Sequence, residues 1–248
     1  MNVRREGEVF VAEDAGTVLG SARISDGVVV LELTEPSEAI AVALIHAVAA
    51  AYRSGDDEAE AVRAPSFGSV HLQTDDQNGV AVLVERLVPR VFRSRVTAVS
   101  PERNGWVAVY DEVADRDPRR LERLGRELSN AVGFVTFTIG VEDGLAVHYI
   151  AFERGRMLDE YLSVPEFRGQ LAPGDAIAMR SNPTVIARLT GADPAAVRRV
   201  ARTSESAVDL PPAEELIDEL AGVLGLSGAD YGFDTARELD GVVLVEHE

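Results

Sequence analysis

The chain has 248 residues, with 42 carboxylates against 24 basic residues and a net charge of −18; it holds no lysine and no cysteine, so every basic residue is arginine. That excludes Schiff-base and lysine-base chemistry, thiolate nucleophiles, disulfides and thiolate metal sites, and the acidic balance argues against nucleic acid and anionic membrane surfaces as partners. At 46% hydrophobic and 27% charged residues, the composition is that of a globular protein with room for two cores, and a charged N-terminus without a long apolar run predicts a cytoplasmic location and no membrane span.

Val9 to Ala12, Thr17 to Ile24 and Val28 to Leu33 are β-rich runs separated by turn-forming residues, which predicts an antiparallel meander. Glu35-Pro36-Ser37 then starts a helix, with Pro36 closing the strand and Ser37 as N-cap; its apolar residues Ile40, Ala43, Leu44, Ala47 and Val48 recur at helical spacing, so it should lie across the meander. Ser54 to Ser66 reads as an acidic loop, Val70 to Gln73 as a strand, Gly79 to Val88 as a short helix and Val91 to Val99 as a strand. Pro101 to Gly105 has the composition of a linker, which gives domains 1–100 and 101–248.

The second half opens with a strand from Trp106 to Asp111. Asp117-Pro118 is a strong helix start, and Leu121, Leu124, Leu128 and Ala131 form the apolar stripe of that helix. Phe134 to Ile139, Leu145 to Phe152 and Met157 to Leu162 follow as hairpin-linked strands, a β-α-β-β-β order with the helix on one face of a meander. Asn182-Pro183 and Asp193-Pro194 open two short helices, a further helix runs from Pro212 to Leu224 and is capped by Gly225, and Gly241 to Glu246 is a last strand. The predicted class is α+β in two domains, each a mainly antiparallel sheet with helices packed on one face.

Residues 8 to 99 resemble the GNAT acetyltransferases, through the hairpin Val9 to Ile24, the three-strand-then-helix order, and Asn78, Ala81 and Glu85-Arg86-Leu87 late in the segment. The resemblance implies acetyl-CoA binding at the turn before the long helix. That turn reads Leu33-Thr34-Glu35-Pro36-Ser37-Glu38, which lacks the family's glycines and sets two carboxylates where phosphate amides belong. The stretch from Trp106 is similar to an uncharacterised family of bacterial domains, on Trp106, Tyr110-Asp111-Glu112, Glu127-Leu128-Ser129 and Asp159-Glu160-Tyr161 with Ser163. That likeness supports the boundary and brings no activity.

The candidate binding residues are Trp106, Tyr110, Asp111, Glu112, His148, Asp159 and Tyr161. Strand alternation places Trp106, Ala108 and Tyr110 on one face and Met157, Asp159 and Tyr161 on one face, an aromatic and carboxylate surface suited to a cation or an arginine-bearing peptide. Paired carboxylates with His148 also suit acid–base chemistry or a hard metal, against the plainer reading of solvated carboxylates and a histidine satisfied by a backbone carbonyl. His46 reads as core, and His71 and His247 have no partner at ligand spacing. The expected function is a non-catalytic interaction or regulatory module, with no cofactor and no metal, that binds a protein or small-molecule partner. The alternatives are a divergent acetyl-CoA-dependent N-acyltransferase and a carboxylate-based hydrolase.

Overall fold

The computed structural model describes residues 2–6, 9–14, 17–25, 28–34, 41, 44, 45, 48, 66–169 and 171–247. The fold is α+β, every described strand pair is antiparallel, and the chain divides into two compact units, Met1–Arg63 and Ala64–Glu248.

In the first unit, strands β1 (Asn2–Glu6), β2 (Val9–Asp14), β3 (Thr17–Ser25) and β4 (Val28–Leu33) pair in chain order. The alternation of the strands brings Phe10, Ala22 and Leu31 opposite one another on one face. Leu44 and Val48, one helical turn apart, close this core together with Ala12, as the helix-over-meander reading expected. β1 was not expected, because its Asn-Val-Arg-Arg-Glu sequence has no strand signature. The Ser37 cap, His46, most of the expected helix and most of the acidic loop lie outside the described residues.

The second unit is built on a seven-stranded sheet of order β10-β9-β8-β5-β7-β6-β11. Its strands are β5 (Phe67–Leu72), β6 (Val96–Val99), β7 (Val107–Asp111), β8 (Val135–Glu142), β9 (Ala146–Glu153), β10 (Arg156–Leu162) and β11 (Val243–Glu246). The boundary expected at Pro101–Gly105 is therefore misplaced. Ala98 pairs with Tyr110 across it, and Asn104 and Gly105, both at positive φ, form the tight turn joining β6 to β7, closed by the Arg103–Trp106 bridge. The meander of the second half also needs correction: β8, β9 and β10 pair in sequence, but β5 inserts between β7 and β8, with Val70 opposite Val109 on one side and Thr138 on the other.

Helices cover both faces of this sheet rather than one. Helices α1 (Gln77–Val91) and α2 (Pro118–Val132) pack Val80, Val84 and Val88, and Leu121, Leu124 and Leu128, against Val70, Leu72, Val107 and Val109. α1 runs three residues past its expected end, through Pro89, which shortens the strand that follows it to β6. Asp117 caps α2 by accepting from the amides of Arg119 and Arg120 at 3.0 and 3.2 Å, and Gly133 at φ 74° ends it.

The opposite face packs Phe137, Ile139, Tyr149 and Tyr161 under α4 (Pro183–Thr190), α5 (Pro194–Val200) and α6 (Ala213–Leu224), after a 3₁₀ turn (Pro165–Arg168) and a short α3 (Pro173–Ala178). α7 (Phe233–Ala236) covers Ala98, Ala108 and Tyr110. Both faces are needed because β8 and β9 are buried along nearly their whole length, not at alternate residues.

Candidate functional site

The seven candidate residues separate into two groups. Trp106 is core, edge-on to Phe137 at 5.7 Å. Tyr110 is fully buried; its hydroxyl donates to the Gly228 carbonyl at 2.9 Å, its ring stacks on Tyr231 at 5.6 Å, and burial, followed by the Tyr231 neighbour, raises its pKa. Asp111 accepts from Thr97 Oγ1 at 2.7 Å and from the amides of Val113 and Ala114 at 3.0 Å, which shapes the turn after β7. Glu112 accepts from the Arg95 amide at 2.7 Å and from its guanidinium; slight burial works against these bonds, which hold its carboxyl below the usual range.

The second group lies at β9 and β10. The Tyr149 hydroxyl sits between Asp159 Oδ2 at 2.7 Å and Ser181 Oγ at 2.6 Å, and the Asn182 amide donates to Asp159 at 3.1 Å, which fastens the start of α4 to the sheet. Burial pushes the Asp159 carboxyl up to about 6, against the hydrogen bonds from Tyr149 and Asn182. Tyr161 stacks on Tyr149 at 5.3 Å and donates to the Arg202 carbonyl. A register shift between Met157 and Asp159 puts Met157 opposite Phe152 and Asp159 opposite Ala151, so Met157 does not share the face expected for it.

These groups do not converge. β8 and β5 lie between β7 and β9, a separation of roughly 14 Å at the usual strand spacing. The pairing register also puts Asp111 and His148 on the α1–α2 face, and Tyr110, Asp159 and Tyr161 on the other.

His148 is satisfied by side chains rather than by the expected backbone carbonyl. Its Nε2 lies 3.0 Å from Glu160 Oε1, and its Nδ1 lies 3.3 Å from Glu142 Oε1 and 3.1 Å from an Arg168 nitrogen. Arg168 also grips both Glu142 oxygens, through Nε and Nη2. Among the described residues no group of histidines and carboxylates has the arrangement of a metal site.

Sequence reasoning missed the cleft around Asp115. This residue is 7% exposed, and its Oδ1 accepts from the amides of Gly68 at 3.2 Å and Phe233 at 3.1 Å. No described residue donates to its Oδ2, and none forms a salt bridge with it; Arg116 pairs instead with Asp234 at 2.8 Å. Burial raises the Asp115 carboxyl, against the two amides and the nearby Arg116 charge. The cleft, of about 270 Å³, is lined by Phe67, Asp115, Asp230 and Tyr231 together with the Arg116–Asp234 pair. Tyr231 is backed by Tyr110, so one predicted residue supports this site from behind. Asp115 could not be read from spacing, because its amide partners lie 47 and 118 residues away.

No family model matches the sequence, and no curated protein or solved structure is found to be similar to it. The segment that carries the acetyltransferase resemblance, 8–99, crosses the division between the two units, and of the turn expected to meet acetyl-CoA only Leu33 and Thr34 are described. Among the described residues no helix is long and apolar enough to cross a membrane.

Proposed function

We propose that the protein is a non-catalytic interaction module whose Asp115 cleft receives a cationic side chain, an arginine for preference, from a basic partner segment. The observation that carries this reading is the state of Asp115: a carboxylate 7% exposed at the wall of the cleft, with one oxygen held by two amides and the other given no donor by any described residue, the Arg116 guanidinium being paired with Asp234. Two amides and a distant guanidinium offset only part of the cost of burying this carboxylate, and a cation bound at the free oxygen would offset more of it. A guanidinium suits the site because it is weakly hydrated, donates in a plane to the free oxygen and stacks on aromatic faces, here Tyr231 and Phe67. A cleft of about 270 Å³ holds a single long side chain better than a nucleotide. The net charge of −18 attracts a basic segment from a distance.

The test is an NMR titration with N-acetyl-arginine amide and its lysine counterpart. Arginine should shift the amides of Phe67, Asp115 and Tyr231 more than lysine does, with the affinity falling at least about tenfold in Asp115→Asn, the scale of one lost charge-assisted hydrogen bond. Asparagine keeps an acceptor for the two amides, so the fold should persist. No site-specific shift at about 10 mM arginine amide, a concentration well above a millimolar Kd, would overturn the reading.

A raised carboxyl in a cleft also suits a general acid, and this favours a carboxylate-based hydrolase as the second reading. Hydrolysis of a small ester or amide panel that disappears in Asp115→Asn would establish it instead.

A further inference from the structure

We propose that His148 is a proton-operated latch: in its neutral form it helps Arg168 hold the Pro165–Arg168 turn on the sheet, and a proton on its Nδ1 loosens that hold.

Three neighbouring strands present this cluster on one face. Glu142 comes from β8, His148 from β9 and Glu160 from β10, with His148 opposite Gly140 and Leu162, so both carboxylates are its diagonal neighbours. His148 and Glu142 are 8% and 6% exposed. Arg168 reaches in from the turn, with Nε 2.9 Å from Glu142 Oε2.

The latch rests on competition for one ring nitrogen. In neutral His148 with the proton on Nε2, the ring donates to Glu160 and Nδ1 accepts from Arg168, 3.1 Å away. When Nδ1 is protonated it can only donate, and its acceptor is Glu142 Oε1 at 3.3 Å, which Arg168 already holds. Two cations then share the carboxylates, and Arg168 has lost one acceptor.

Charge explains why the proton is taken up nonetheless. Two carboxylates and one guanidinium leave the cluster at net −1 around a neutral ring, and the proton brings it to zero. Burial lowers the His148 pKa, the carboxylate hydrogen bonds outweigh it, and Arg168 acts against them. Arg168 and the proton therefore oppose each other, and by linkage the opposition is mutual. The other charges facing the cluster are Glu122 of α2, which acts on Arg168 and is paired with Arg126 at 2.6 Å, and Asp115, which lines the same small cavity as Glu142 and His148. Beneath the turn lie the buried side chains of Ala146, Leu162 and Val164. Releasing the turn would bring that apolar patch to the surface.

The test follows the His148 ring signal by NMR through a pH titration of the full chain, together with hydrogen exchange of residues 163–169. Arg168→Gln, at a partly exposed side chain, should raise the His148 midpoint by about 1 pH unit, roughly tenfold in proton affinity. In the unmodified protein, protection of 163–169, corrected for intrinsic rates, should fall as pH drops through that midpoint, and in Arg168→Gln it should no longer follow pH. A midpoint that stays in place or falls in Arg168→Gln, or protection that does not change across the midpoint, would overturn the latch.

Discussion

Two histidines of the same sheet are buried to similar degrees and meet opposite fates. His71, on central strand β5, is fully buried among apolar side chains; its Nε2 meets Ser69 Oγ at 2.9 Å and its Nδ1 has no partner. Desolvation alone drives its pKa down to about 3. His148, two strands away on β9, lies between two carboxylates, and its pKa is raised despite burial. Burial by itself therefore does not decide the charge of a core group; the nearest counter-charge does. Asp159 extends the lesson to an acid, because its partners Tyr149 and Asn182 are neutral and its carboxyl drifts toward the uncharged form.

The largest effect that tests this contrast is expected at the charged cluster. His148→Leu strips Glu160 of a hydrogen-bond donor and disturbs the Arg168–Glu142 contact beside it, and should lower unfolding stability by about 2 kcal/mol at neutral pH, read from urea denaturation. A loss below about 0.5 kcal/mol, the range of ordinary surface changes, would mean that Arg168 alone satisfies the cluster. An intermediate effect is expected at Asp159. Its folded pKa of about 6 lies above the unfolded value near 4, so the native state binds the extra proton between those pH values. Its contribution is full below pH 4 and is lost as pH rises through 6, and the Tm of Asp159→Asn should decline less over that window than that of the parent.

The smallest effect belongs to His71. Replacing both members of its pair, as Ser69→Ala with His71→Leu, removes two poorly served polar groups together and should leave stability within about 1 kcal/mol of the parent at pH 7. Because folded His71 resists protonation down to about 3, its penalty grows as pH falls below 6.5. The double variant should therefore gain on the parent in acid, and equal acid midpoints would count against a neutral His71.

Much of the local structure could be read in the sequence. Asp117-Pro118, Asn182-Pro183, Asp193-Pro194 and Gly225 mark real helix ends because capping is chemistry between residues two to four apart. The hairpins at Asp143-Gly144 and Arg154-Gly155 were legible for the same reason, each pair adopting positive φ. Long-range pairing was not legible. Nothing near Phe67–Leu72 says that its neighbours will be β7 and β8, and Asn104-Gly105 has the composition of a linker although it is a two-residue turn inside a sheet. The candidate site follows the same rule: Tyr110 and Asp159 carry the chemistry of a binding site, but groups remote in sequence, Gly228 and Asn182, give them structural tasks.

The place of β5 has a consequence for the order of events during synthesis. It is the first strand made of its sheet and ends in the middle, with Val70 paired to Val109 and to Thr138. At a synthesis rate of about 5–20 residues per second, it waits several seconds for both partners, with two open edges and the run Val70-His71-Leu72 unprotected. Of the strands in this sheet, the one most deeply enclosed at the end is the one most exposed to wrong partners at the start.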